Sequence, residues 1–310
     1  MENQNEGLSR LANAAENFIK QERWSRRWTN LLKLAVIVYI LVTIFFIAKG
    51  VTNNSDDIVG TKHMAVIKLN GLIATSTKTN AANINPLLRK AFKNENAVAV
   101  VINANSGGGS PVQSALINDE ITRLKKLYDK PVYVVVEDVC ASGCYYIAVA
   151  ADKIYANKGS MIGSIGVRMD TFGFTGLMEK MGIENRSMHA GKNKTFIDPF
   201  SEKNEEGRAF FQKTILERTH QQFIATVRAG RGDRIKENEN TYTGLVWLGD
   251  EAVENGLIDG LGSVNSIMRE VVKVKNIKVY QQEKSIMEEL MGDIAVEMAL
   301  KLSMIYSEMR

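Results

Sequence analysis

Two glycine-bearing turns hold the residues best suited to chemistry, and each stands behind a short apolar run. The first is Asn105-Ser106-Gly107-Gly108-Gly109-Ser110, between Val98–Asn103 and the helix-patterned stretch Pro111–Leu127. A loop of this composition can turn backbone N–H groups outward and receive an anion or an oxyanion. No Lys follows the glycines, so the Walker pattern of a nucleotide-binding loop is missing. A tight turn that simply needs small residues is the plainer reading of the same loop.

The second turn, Val139-Cys140-Ala141-Ser142-Gly143-Cys144-Tyr145-Tyr146, follows the run Val132–Val136. Ser142 there opens a helix, where a serine ordinarily serves as an N-cap. The sharper reading is a nucleophile whose oxyanion is held by the N–H groups of Gly143 and Gly109. The context is not G-x-S-x-G, which argues against an α/β-hydrolase. A nucleophilic serine needs a base. Only His189 and His220 follow it, and His220 falls in a helical pattern expected to be exposed, so a histidine triad is weakly supported. The segment His189-Ala190-Gly191-Lys192-Asn193-Lys194-Thr195 offers two lysines instead. A lysine takes a proton only while neutral, a state that desolvation or neighbouring cations must favour. Most lysines on polar loops are solvated, and spacing alone selects neither.

These turns need a scaffold, and the apolar pattern supplies one of α/β class. Met64–Leu69, Val98–Asn103 and Val132–Val136 are rich in β-branched residues and read as buried strands. With the helix at Pro111–Leu127 they make a βαβ unit. A helix is expected over Ser142–Ala151, a further strand at Lys153–Ala156, a long helix over Glu202–Arg228 and short helices around Glu251 and Val264. The amphipathic segment Ile286–Met309 carries five methionines, which suit adaptable core or subunit contacts. Cys140 and Cys144 are the two cysteines of the chain, and a helical turn between them would disfavour a disulfide, so two small buried thiols are expected. Three histidines without cysteine companions give no zinc spacing, and no metal or cofactor is expected. Thirty-nine Lys and Arg against 35 Asp and Glu leave +4, too small and dispersed for a nucleic-acid footprint.

Upstream, Leu34–Ala48 runs without a charge between Lys33 and Lys49, with Trp24 and Trp28 placed for an interfacial belt. The long polar lead-in and the lack of an A-x-A-like site favour an uncleaved anchor over a signal peptide. Asn17–Lys33 holds five positive charges and one negative, whereas Gly50–Met64 holds one Lys and two Asp, so the N-terminus is expected inside and the rest exported. The expected organisation is a cytoplasmic arm at 1–30, a transmembrane helix at 31–49, a linker at 50–63, one catalytic-size domain at 64–276 and a C-terminal helical extension at 277–310.

The ordered blocks NSGGGS, VCASGCYYIAVAAD, MIGSIGV, HAGKNKTFIDPF and TGLVWLGDEAVENGLIDGLG, within Val66–Ile267, resemble the signal peptide peptidase A (SppA) family of membrane-anchored serine proteases. The resemblance implies a ClpP/crotonase-like α/β fold and a Ser/Lys dyad. Matched position by position, it implies Ser142 as nucleophile, Lys194 as general base, Ser164 in GSIG as the base-orienting serine, and Gly109 and Gly143 as oxyanion donors. Lys192 then has no role. It further implies peptide substrates that are cleaved signal peptides, and a homo-oligomeric ring in which one protomer's lysine serves its neighbour's serine. The setting would be the bacterial inner membrane with the catalytic domain on the periplasmic side. Three positions depart from the family pattern. Gly107 replaces a proline, Cys144 stands where glycine is usual, and Thr195 replaces the Asp after the base lysine. Two other readings keep the fold: a catalytically silent, membrane-tethered scaffold or chaperone, and an enzyme acting on acyl-CoA thioesters. Retention of Ser142 and Lys194 argues against the first, and export away from coenzyme A argues against the second.

Overall fold

The computed structural model describes residues 24, 28, 30–43 and 60–282, in two compact units, Met1–Gly60 and Thr61–Arg310. In the first, residues 30–43 are helical and Trp24 and Trp28 meet edge to face at 5.7 Å. Among the described residues no helix is long and apolar enough to cross a membrane. The expected span at 31–49 runs past them, since 44–49 lie outside the described residues.

In the second unit, eight strands among the described residues form one sheet: β1 (His63–Asn70), β2 (Ala97–Ser106), β3 (Val132–Ala141), β4 (Lys153–Ala156), β5 (Met161–Gly163), β6 (Val246–Leu248), β7 (Gly260–Leu261) and β8 (Asn276–Tyr280). The order is β6-β5-β3-β2-β1-β8, with β4 on β3 and β7 on β4, and every pairing is parallel except β5 with β6. Parallel neighbours require crossovers, which helices α1 (Ala81–Lys93) and α2 (Pro111–Tyr128) provide. This is the α/β sheet with βαβ units read from the apolar runs. α1 was not foreseen, and Pro86 inside it disguises a helix whose Ile84, Leu88 and Phe92 are buried. α2 starts where Ser110 accepts from Gln113 N–H, has Pro111 in its first turn, and ends at Asp129 in the left-handed region.

One face of the sheet, with Ile67, Ile102 and Val134, packs on Leu88, Phe92, Ile117 and Ile121. Each of these large side chains contributes about 1.5–3 kcal/mol on burial. The other face, with Met64, Val66, Val101 and Val135, is covered by Ile267 and its neighbours. The boundary expected at 276 falls inside a strand: Asn276–Tyr280 pairs with β1 over His63–Ile67 instead of starting a helical extension. The remainder of that extension, 283–310, lies outside the described residues.

After Ser142 come α3 (Gly143–Ala148), then β4 and β5 on the far edge of β3. Further along are α4 (Thr175–Lys180), α5 (Glu205–Phe210), a π-helical turn (Phe211–Leu216) and α6 (Glu217–Arg231), the last three forming the long helix expected from about Glu202. α7 (Gly249–Glu254) and α8 (Val264–Ser266) are the two short ones.

Candidate active site

The two glycine-bearing turns meet at the ends of β2 and β3. Ser106 Oγ donates to Gly71 O at 2.6 Å and accepts from Gly108 N–H at 3.1 Å, which folds the first turn back toward β1. Gly108 (φ 97°) faces the second turn so closely that a Cβ there would lie 2.6 Å from Gly143 N and 2.8 Å from Ser142 Cβ. Gly109 (φ 149°) pairs with Ile73, whose carbonyl oxygen a Cβ at Gly109 would strike. The bonds of that pairing run from Ile73 N–H to Gly108 O (2.9 Å) and from Ser110 N–H to Ile73 O (2.7 Å). Gly109 N–H therefore faces away from Ile73. The Gly109 nitrogen lies 3.2 Å from the point a Gly143 Cβ would occupy, so the two expected oxyanion donors are neighbours.

Ser142 occupies the N-cap position of α3, yet its side chain makes no capping hydrogen bond. Its backbone sits at φ 54°, ψ −123°, a region that costs a non-glycine residue on the order of 1–3 kcal/mol. The conformation is held by Ser142 N–H to Gly163 O (2.8 Å) and by Tyr146 N–H to Ser142 O (3.0 Å). The sharp corner thus presents a half-buried hydroxyl with no hydrogen-bond partner among the described residues, beside two glycine N–H groups. The register Cys140 with Ile162 and Ala141 with Gly163 brings Ser164 alongside Ser142. Ser164 is itself at φ 51°, with its N–H on Leu245 O at 2.7 Å.

Cys140 and Cys144 are joined as a disulfide, contrary to the expected thiols. The expectation assumed a helical turn between them. β3 in fact continues extended through Cys140 and Ala141, and the chain reverses at Ser142, leaving the two Cα atoms 5.1 Å apart.

Beneath α3 lies a polar brace that the sequence reading missed. Tyr145, fully buried, donates its hydroxyl to Leu257 O at 2.7 Å, and burial pushes that phenol well above its ordinary range. Arg231, 2% exposed, binds Gly256 O through Nε and Asp259 Oδ2 through Nη1 at 2.7 Å, while Asp259 also accepts from Ile154 N–H. Burial alone would raise the Asp259 carboxyl, but the Arg231 and Ile154 hydrogen bonds and the Arg234 charge hold it below the usual carboxylate range. Ile73 and Ser114 were also missed. Ser114 Oγ lies 2.5 Å from the point a Gly143 Cβ would occupy, and no local motif marks either residue.

Lys194 is on an exposed arm between β5 and α5. Its N–H bonds Gly191 O, and its side chain makes no hydrogen bond or ion pair among the described residues. Lys192 pairs with Glu206 at 3.6 Å in the solvent. His189 is exposed on the same arm, and His220 is engaged at Ile165 O (3.1 Å). The arm is held by Phe174 stacked on Phe200 at 5.7 Å and by Phe174 N–H on Pro199 O at 2.8 Å. Its α4 buries nothing, and Phe172, Leu177, Met181 and Met188 stand exposed, Met188 at 98%. The structure therefore groups Ser142, Ser164, Gly109 and Gly143, and among the described residues no hydrogen bond or ion pair joins the Lys194 side chain to them. Among the described residues no cluster of three or more His, Cys, Asp or Glu is arranged to hold a metal.

Comparison with known proteins follows the same residues. The sequence model of peptidase family S49 matches residues 125–278. The chain is 40% identical over 229 residues to a Brucella abortus protein named as the Na(+)/H(+) antiporter NhaA, covering 72% of this chain and 31% of that one. A protein of Enterococcus faecium named for signal peptide peptidase SppA is 30% identical over 70% of this chain and 66% of its own length. A Synechocystis protein named as a protease is 31% identical over 65% of this chain and 70% of that one. The chain thus spans about a third of the antiporter-named relative and about two thirds of the other two.

Proposed function

The chain belongs to peptidase family S49 as a serine peptidase of the SppA type, and on that premise we propose that it cleaves peptides with a dyad of Ser142 and Lys194. The observation that carries the proposal is the Ser142 hydroxyl, uncapped at a strained corner beside the Gly109 and Gly143 N–H groups. A serine that only capped a helix would relax to the extended backbone and bond the first turn. In the proposed cycle, neutral Lys194 Nζ accepts the Ser142 proton while Oγ attacks the scissile carbonyl carbon. Gly109 and Gly143 N–H donate to the oxyanion, Ser164 orients the amine, and the ammonium returns its proton to the leaving nitrogen. Water then repeats the sequence on the acyl-enzyme.

The proposal includes assembly. Lys194 rides on an arm whose apolar residues face solvent, as a subunit contact requires, so the base is supplied to the Ser142 of a neighbouring copy in a homo-oligomeric ring with the ClpP/crotonase-type fold. It also includes an anchor at 31–49 with the catalytic domain on the periplasmic side. The charge bias around the apolar run supports this, as does the Cys140–Cys144 disulfide, a bond that persists in oxidising compartments. Tethering raises the effective concentration of the enzyme near membrane-bound leftovers, which makes cleaved signal peptides, bound extended, the proposed substrates. The test is digestion of a synthetic signal peptide by the full chain and by Lys194→Ala. The wild type should cleave it and the variant should be slower by at least about 10³-fold. Cleavage at equal rates would remove Lys194 from the mechanism.

A further inference from the structure

The Cys140–Cys144 disulfide encloses Ala141, Ser142 and Gly143, so the candidate nucleophile sits at the centre of the smallest covalent loop in the described chain. Cys140 is the penultimate residue of β3, held in register with Ile162 on one side and Ser106 on the other. Cys144 is the second residue of α3, and both cysteines are fully buried in the main core. The bond therefore ties the end of a rigid strand to the start of the helix across the corner where Ser142 is strained. The other ties at that corner are the Gly163 and Tyr146 hydrogen bonds, which a relaxing turn can break.

Relaxation has a definite destination. A serine at an N-cap favours an extended backbone with its hydroxyl on the N–H of the second or third helical residue, here Cys144 or Tyr145. That conformation consumes the hydroxyl as a cap. We infer that Cys140 and Cys144 are positioning residues, whose disulfide holds Ser142 in its reactive, uncapped geometry, so that turnover is gated by the redox state of this pair. The inference rests on the reading of Ser142 as nucleophile. Opening the bridge takes two electrons and two protons from a dithiol reductant, which becomes a disulfide while Cys140 and Cys144 become thiols. A chain still in a reducing compartment carries the open pair and a capped, idle serine; oxidation after export closes the corner and switches the enzyme on.

The test uses the full chain in detergent micelles, purified without reductant, and the same material held with dithiothreitol until its intact mass has gained two hydrogens. On reduction, kcat for a signal-peptide substrate should fall about tenfold or more with KM little changed, and return after oxidation with glutathione disulfide. Amide hydrogen exchange over 141–146 should quicken in step. The double variant Cys140→Ala/Cys144→Ala, confirmed folded by circular dichroism, should start at the lowered kcat and ignore reductant. An unchanged kcat and unchanged exchange in fully reduced protein overturn the inference, as do two alkylatable thiols in protein purified and denatured without reductant. If neither redox form cleaves peptide or takes a serine-directed probe while exchange still responds to reduction, the brace stands and the peptidase reading falls.

Discussion

Around Ser142, strands β2, β3 and β5, the disulfide and the Tyr145–Leu257 bond converge on one corner, and nearly every side chain beneath it is buried. Around Lys194, α4 buries nothing, the arm is closed by ring contacts of Phe174 with Phe200 and of Phe196 with Phe210 and Phe211, and Phe172, Met181 and Met188 face solvent. A nucleophile must be aimed to within a fraction of an ångström by a prepaid scaffold, and a strained backbone is tolerated only where packing overdetermines it. A base that arrives with a neighbouring copy needs the opposite: a surface unsatisfied in the single chain. The contrast is the physical basis for treating the two halves of the dyad as belonging to different protomers.

The largest break is at the nucleophile. Ser142→Ala should lower peptide cleavage by at least about 10³-fold while leaving the thermal midpoint within a few degrees of wild type, measured by initial rates and calorimetry. Next, the rigid half depends on its brace. Arg231→Ala leaves Asp259 buried without its main partner and should cost about 3–5 kcal/mol in denaturant unfolding, whereas an arm substitution such as Met188→Glu should leave the unfolding of the chain unchanged and reduce only assembly and activity. Gly109→Ala sharpens the picture of the oxyanion side: the Cβ must push Ile73 away, so kcat should drop about 10²–10³-fold with the disulfide and sheet intact. The smallest effect is on acid stability. Asp259 is held below the ordinary carboxylate range, so its contribution is complete above about pH 4 and disappears as pH falls through its lowered folded value. An Asp259→Asn chain should therefore lose the part of the stability slope that appears in urea titrations as pH falls below about 4.

β1 to β3 and α2 were legible because their apolar runs are long, with the three strands rich in β-branched residues, and α2 carries its own start signals in Ser110 and Pro111; the short β4 was read at Lys153–Ala156 as well. β5 to β7 span three residues or fewer, too short to show a period, and they exist because neighbouring strands offer them an edge: β3 to β5, β5 to β6 and β4 to β7. β8 was not read from the sequence, where its residues after Asn276 were counted with the C-terminal extension, and its identity is decided by pairing with β1. At the site, the residue types of Ser142, Gly109 and Gly143 were legible, but not the positive φ that strips Ser142 of its cap, since the local sequence is that of an ordinary N-cap. The disulfide was misread for the same reason: it depends on a backbone reversal at Ser142 that no local pattern announces. Exposure of the arm was hidden because Leu177, Met181 and Ile183 have the composition of a core.

The central claim, that a fixed serine in one copy is served by a lysine on the exposed arm of another, is tested most directly by mixing two inactive chains. Ser142→Ala and Lys194→Ala proteins, each confirmed to fold and assemble, are dissociated, combined in equal amounts and reassembled. If the dyad is shared between protomers, about a quarter of the sites pair an intact serine with an intact lysine and signal-peptide cleavage returns to that level. A mixture that assembles with both chains present and stays inactive would contradict the account.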